Sequence, residues 1–348
     1  MANFRCITTA ELQFDPKLNV LTGGNGAGKT SLLEALYFLG RARSFRTADN
    51  RVLIRSGTSE AEVSGTGIGP AGPCRLGVRI GAGGVDIHIA GQSGAQATEL
   101  VSALPVQAIH ADIGGIVQGP PEVRRQLLDW GVFHVKHDYL VRWRQFRRAL
   151  LQRNAVLRDR GPDEMIEAWE GELASAGTGV HDYRHEYLKR LETRFQALGQ
   201  RLLGYEVSLQ YQRGWPEGED LTATLRSSRE ADRSAGFTRA GPHRADLQFQ
   251  IQSERSRSWA SKGQQKLLGA ALILAQCDLV AEELGNPVAL LVDEPGADLD
   301  RGQLERFVGA ILDTRAQVFV AAIAAEGLAL DGRGTMFHVE HGHAKALL

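Results

Sequence analysis

Eight residues near the N-terminus, Gly23-Gly24-Asn25-Gly26-Ala27-Gly28-Lys29-Thr30, constrain this chain more than any other stretch. They fit G-x-x-x-x-G-K-[ST], the spelling of a phosphate-binding loop. A triphosphate needs several backbone N–H groups converging on its oxygens. Glycines let the backbone come that close and turn that sharply. On this reading Lys29 reaches the β- and γ-phosphates, and the Thr30 hydroxyl holds Mg²⁺. Val20-Leu21 ahead of the loop reads as a strand end. Leu32, Leu33, Ala35, Leu36 and Leu39 after it recur at helical spacing. Strand, loop and helix in that order aim a helix N-terminus at an anion.

A chain of 348 residues suffices for about two domains. The formal net charge is -1, so nucleic-acid contact must come from a local basic face and not from a global field. Cys6, Cys74 and Cys277 are scattered and odd in number. They form neither a metal spacing nor a disulfide framework, which predicts a reducing cytoplasm. No apolar run approaches transmembrane length and no signal-peptide core is visible, so no membrane role is expected.

Phe4 to Val20 reads as strand material with a turn near Asp15-Pro16, and it starts so abruptly that the first strand is expected to be shortened. Arg41 to Arg46 follows the first helix, and its arginines either contact phosphate or DNA or lie in a solvated loop. Between Val52 and Ile89, short alternating segments split by Gly/Pro turns predict an antiparallel meander. Leu104 to Ile109 is a further short strand, whose polar neighbours Gln107, His110 and Asp112 are candidates to face a γ-phosphate or Mg²⁺.

A helical region then runs from Glu122 to about Leu203, with long helices predicted over Tyr139–Arg160, Asp163–Ala174 and Val180–Leu203. Antiparallel helices projecting from a nucleotide-binding head fit this pattern. The arginine-rich helix (Arg142, Arg144, Arg147, Arg148, Arg153, Arg158, Arg160) either holds a nucleic-acid backbone or pairs with its acidic neighbour. His134 and His137 read as surface residues. The turn Gly241 to Asp246, with His243, Arg244 and Asp246, is a site or a solvated loop. His338, His341 and His343 fall in what reads as a frayed tail.

Two further elements carry chemistry. Ser261 stands at an N-cap position before an apolar helix, so its hydroxyl and the helix N-terminus make a second anion site. Val288 to Val292 is an unbroken apolar run, the mark of a buried parallel strand. It ends in Asp293-Glu294, where ligands bind in an open α/β sheet. Asp293 is placed in the Mg²⁺ shell and Glu294 polarises the attacking water. If Ser261 of one subunit caps the nucleotide held by another, ATP becomes the glue of a dimer.

Gly23 to Thr30, Ser261-Lys262-Gly263-Gln264 and Asp293-Glu294 together resemble the ABC-type ATPase heads of the SMC and Rad50 class. Further stretches resemble its bacterial recombination-mediator members: Phe4-Arg5, Ser31 to Gly40 with Phe45-Arg46, Arg124 to Gly131, Gln152 to Ala155, Gly241-Pro242-His243 and Gln317 to Val320. The resemblance implies an α/β fold, a P-loop ABC-type head of mixed sheet plus antiparallel meander, with an inserted antiparallel helical domain. Residues 1–120 would form one lobe, 121–204 the insert and 205–348 the second lobe. It adds Ser31, Gly263, Gln264 and Asp300 to the nucleotide contacts and makes Arg43, Arg46, Arg144, Arg147 and Arg148 candidates for DNA. The implied function is a weak, DNA-stimulated ATPase of DNA repair, replication and homologous recombination within the SOS response. ATP and Mg²⁺ are its cofactors. It would dimerise on ATP, bind gapped DNA at single/double-strand junctions and, with RecO- and RecR-like mediators, help load RecA.

The departures are specific. Ala321 to Ala325 offers no switch histidine, and His110-Ala111-Asp112 stands where a proline beside an acid is usual. A transporter ATPase subunit is the rival reading. It would share the loop and the strand-end acids, but it would carry a Leu-Ser-Gly-Gly-Gln-type signature and a smaller insert.

Overall fold

A computed structural model describes the chain except residues 70–71, 253, 256–259, 329, 331–332 and 348. It divides into two compact units. One comprises 1–114, 201–204 and 261–348, and the other 115–200 and 205–260.

The first unit is built on two sheets. In the first, Val106–Ile109, Ala289–Asp293, Gln317–Ala322, Leu18–Thr22 and Thr335–Glu340 lie side by side and parallel, and His343–Leu347 closes one edge antiparallel. Leu18–Thr22 is buried at every position, as a strand covered on both faces must be. The second sheet is the expected meander: Ile7–Thr9, Ala2–Phe4, Ala61–Gly69, Gly72–Gly81, Gly84–Ile89 and Gln92–Ser93, paired antiparallel throughout. The opening segment is thus a short hairpin followed by a loop, because Asp15 caps the turn into Leu18 with its own carboxylate.

The helix Lys29–Arg41 packs between these sheets. Leu32, Leu33 and Tyr37 join Leu21, Leu291 and Phe319 of the parallel sheet. Ala35, Phe38 and Leu39 join Val63, Leu76 and Val78 of the meander. An apolar stripe on each side of one helix explains why the run after Lys29 is almost continuously apolar. The helix is fixed from both sides, and so is the loop at its N-terminus.

The second unit carries the helices Pro121–Val135 and Tyr139–Arg158 and the helix Asp163–Leu203 as far as residue 200, with a three-stranded antiparallel sheet of Val207–Gln212, Asp246–Ile251 and Glu254–Arg255. Two expectations change here. The region 163–203 is one helix of 41 residues, not two. Gly177 and Gly179 do not break it. A Cβ on Gly177 would lie 2.9 Å from Leu221 Cδ2 and 3.3 Å from the Phe146 ring, so the glycine admits neighbours and is not a stop signal. The boundary drawn at 205 moves to 261, because 205–260 packs on the helices. A Cβ on Gly199 would meet Val207 Cγ2 at 2.0 Å, and the Phe195 and Phe249 rings are 5.8 Å apart.

Buried ion pairs hold this unit. Arg153, fully buried, donates to Asp232 at 2.8 Å and Glu170 at 3.0 Å. Arg184 grips Asp129 and the Pro242 carbonyl, and Arg124 grips Asp246 and three carbonyls. Arg153 therefore leaves the proposed arginine face. The acidic neighbours Glu167 and Glu170 pair with Arg229, and Glu170 also with Arg153. His134 is buried against Trp130 and Phe133, so it shares no surface with His137.

Candidate nucleotide-binding site

All five parallel strands end on one edge of the sheet, and the sequence motifs meet there. In the loop, Gly23, Gly26 and Gly28 have φ of +149°, +76° and +115°, which other residues rarely adopt. A Cβ on Gly23 would also lie 2.2 Å from the Val339 carbonyl oxygen. Gly342 N–H donates to the Ala27 carbonyl at 2.9 Å, and Gly23 N–H donates to that of Ile323. The turn of the C-terminal hairpin thus braces the loop, and the segment expected to be a frayed tail is two paired strands. Among the described residues, His338, His341 and His343 belong to no cluster that could hold a metal.

Lys29 is buried, and its Nζ donates to the Gly23 and Gly24 carbonyls at 2.7 and 2.8 Å. Its ammonium lies inside the ring of loop backbone. Ser31 is buried one residue after Thr30, its Oγ 3.6 Å from Cys6 Sγ. Asn25 sits exposed at the loop crest.

Thr30 and Asp293, 263 residues apart, come together: the Thr30 hydroxyl lies 3.1 and 3.0 Å from the two carboxylate oxygens. Burial pushes the Asp293 carboxyl above its ordinary range. The Thr30 hydroxyl opposes that, nearby Glu294 adds to it, and Arg46 and Lys29 pull it down. A hydroxyl and a half-buried carboxylate form a hard-oxygen donor set, which suits Mg²⁺. Glu294 follows in left-handed backbone, φ +49°, with its side chain exposed beside the site and its N–H donating to Ala321.

Residues 294–300 are held from behind by a lysine that motif reading missed. Lys266, buried in the helix Lys262–Leu284, donates to the Glu294 and Ala297 carbonyls at 3.1 and 2.7 Å. Burial lowers its pKa, and Asp298, Glu294 and Asp293 partly restore it. Its position at the head of the apolar run that starts at Leu267 was the available signal. The same helix begins with Ser261 as N-cap. Ser261 Oγ accepts from Gln264 N–H, and Gln264 Oε1 accepts from Ser261 N–H, a capping box. Gly263 lies where a Cβ would be 2.8 Å from the Asp298 carbonyl. Ser261 is exposed and Gln264 half-buried, so the cap itself reaches solvent. Asp300 forms an equivalent capping box with Gln303 on the helix Arg301–Asp313.

Of the candidates after Leu104, Gln107 is displaced. It is buried within its strand, with Nε2 3.4 Å from Gln276 Oε1. His110 stands at the strand end and stacks on Phe45 at 5.4 Å, and Asp112 lies exposed beside it. Near the loop, Arg5 donates twice to the buried Glu34, and the Ser44 hydroxyl bonds the same carboxylate. Arg46 lies 3.9 Å from Glu34 and half exposed, and Arg43 is exposed. In the second unit Arg144, Arg147 and Arg148 all lie on the exposed face of their helix, with Arg147 over the Trp143 ring. In the turn at Gly241, Arg244 is exposed, while His243 and Asp246 are drawn into contacts within the unit. His243 donates from Nε2 to the Thr238 carbonyl, burial lowers its pKa to about 4, and Asp246 pairs with Arg124. That turn holds the unit together.

A parallel sheet with a phosphate loop, an acidic strand end on the adjoining edge and a second capped helix pointing to solvent define the ABC-type P-loop head. The family described as RecF/RecN/SMC N terminal domain matches residues 1–344. The DNA replication and repair protein RecF of Chromohalobacter salexigens is 39% identical over 97% of this chain and 96% of its own length. That of Pseudomonas fluorescens strain SBW25 is 37% identical over 94% and 91%. The chain belongs to the RecF/RecN/SMC N-terminal domain family and, within it, to RecF. A solved structure of the recombination mediator protein RecF with ATP superposes with a TM-score of 0.86 at 22% identity, over 99% of this chain and 95% of the other. An archaeal Smc head, from Pyrococcus furiosus, gives 0.60 at 16%, over 99% and 94%. Among the described residues no helix is long and apolar enough to cross a membrane.

Proposed function

We propose that this chain is an ATPase of DNA repair and replication that closes into a dimer on ATP and opens when ATP is hydrolysed. The observation that carries this reading is the meeting of Thr30 with Asp293 under the glycine loop. The loop N–H groups and Lys29 bind the triphosphate, Lys29 exchanging its two carbonyl partners for phosphate oxygens. Thr30 and Asp293 would hold Mg²⁺, which would supply positive charge beside the phosphates. Glu294 orients the attacking water and accepts its proton. Ser261 lies exposed at the N-terminus of its helix, and a triphosphate on a second copy would meet its hydroxyl and the positive end of the helix dipole. Gly263, Gln264 and Asp300 belong to that opposing face, and Ser31 to the loop side.

Gapped DNA is the substrate surface we assign, with Arg43 and Arg46 on the first unit and Arg144, Arg147 and Arg148 on the second as the phosphate contacts. RecO- and RecR-like mediators are the partners, because the ATP-bound relative is described as part of the RecFOR pathway. The cytoplasm is the matching compartment. The first unit then acts as the head and the helical unit as its insert.

Replacing Glu294 tests the chemistry. Glu294→Gln should leave ATP binding intact, lower turnover by about a hundredfold or more, and accumulate ATP-bound dimer in sedimentation. Unchanged turnover would remove Glu294 from the mechanism.

A further inference from the structure

We propose that a cavity inside the second unit binds one unpaired nucleotide of a DNA strand, with its base stacked on His185 and its phosphate held by Lys189. The inference rests on the reading above that the chain binds gapped DNA, and names where the unpaired strand goes.

The cavity, of about 380 Å³, opens between the helix Asp163–Leu203 and one face of the strand Val207–Gln212. That volume lies within the range of small-ligand sites, about 300–1,000 Å³. Its helix wall comes from His181, His185 and Lys189, spaced four apart and so on one face. Its sheet wall includes Leu209 and Tyr211, alternate residues on one strand face, with Arg213 just past the strand end.

The rings form a staircase. Tyr211 and His181 are nearly parallel, 9° apart with centroids at 5.7 Å, and His181 and His185 follow at 26° and 5.8 Å. Trp215 meets His181 edge-on at 5.1 Å and fixes its plane. The His181 ring is thereby ordered, while His185 is exposed and lines the cavity. A base is the planar group that continues such a stack, and unpaired bases are bound on histidine and other aromatic faces.

The charges fit the rest of a nucleotide. Lys189 is exposed four residues beyond His185, one helical turn from the ring, where a phosphate joined to a stacked base falls. Arg213 adds a fixed positive charge, its guanidinium tied to the Trp215, Pro216 and Glu219 carbonyls and lying 4.6 Å over the Trp215 ring. Two carboxylates, Glu192 and Glu217, also line the cavity, and they favour a base edge bearing an amino group. The paired histidines are not a metal site, since no group of three ligands forms among the described residues.

The test places 2-aminopurine, an amino-bearing fluorescent base, in the single-stranded part of a gapped duplex, with the full chain and ATP. Binding should quench the probe by stacking. His185→Ala combined with Lys189→Ala should abolish the quench and lower the preference for gapped over blunt duplex by about tenfold, leaving blunt-duplex affinity within about twofold. Both side chains are exposed, and an unchanged melting curve confirms folding. Retained quench and preference in the double variant would overturn the inference while leaving DNA binding standing. An unaltered chain that binds neither duplex would overturn DNA binding and the inference with it. Displacement of the strand by equimolar free dAMP would mark a small-molecule site and likewise overturn it.

Discussion

Lys266 shows what one residue does that no motif records. Its ammonium is buried, its pKa is lowered by burial, and its partners are main-chain carbonyls of the segment that starts with Glu294. It acts through that segment, so it is a positioning residue. Lys266→Met removes the charge and keeps the bulk, but strands two carbonyls. Leaving buried polar groups unpaired costs about 1–3 kcal/mol, enough to misplace Glu294. Turnover should fall about tenfold while ATP affinity measured by titration stays within about twofold, since Lys29 and the loop are untouched. A parallel loss of affinity would mean that Lys266 supports the whole site and not Glu294. The phosphate loop, by contrast, was readable letter by letter, because Gly23, Gly26 and Gly28 answer a local demand: positive φ and, at Gly23, the approach of Val339.

At the scale of elements, sequence periodicity located the strands and helices within a few residues but misjudged what their glycines and histidines were for. The helix 163–203 was expected as two, 163–174 and 180–203, and the neighbours that need the space at Gly177, Phe146 and Leu221, are distant in sequence. His243 was ambiguous for the same reason: its partner Thr238 is local, but its burial is tertiary. That burial has a measurable consequence. His243 titrates near 4 in the folded chain instead of at its ordinary 6.5. A depressed histidine pKa means that the unfolded chain binds the proton first. Stability is therefore complete above pH 6.5 and falls as the pH drops from 6.5 towards 4. Between pH 7 and 5 this one group should remove about 2 kcal/mol from the stability of its unit. Denaturant melts of the chain and of His243→Gln at both pH values measure it. The variant should show a shallower pH dependence, and an identical slope would locate the titration elsewhere.

At the scale of the molecule, the head was legible because three short motifs, far apart in sequence, have one spatial solution: a loop, an acidic strand end and a capped helix. The division at 261 was not legible. The strands 207–212 and 246–251 look like any other sheet strands, and only their packing against the helices assigns them to the second unit. Ser261 and Lys29 both belong to the first unit, and Ser261 is exposed at its helix end. In the proposed dimer, that helix end would face the triphosphate held by a second copy.

Mixing two inactive variants tests that sharing directly. Lys29→Ala has no working loop but keeps Ser261, and Ser261→Arg keeps the loop but blocks the capped helix. Each alone should fail to dimerise on ATP and to turn it over. Mixed in equal amounts, they can build one complete site from the loop of one copy and the helix of the other. ATP-dependent dimer and up to about half of the normal turnover per dimer should return on mixing. A mixture as inert as its two components would contradict that sharing.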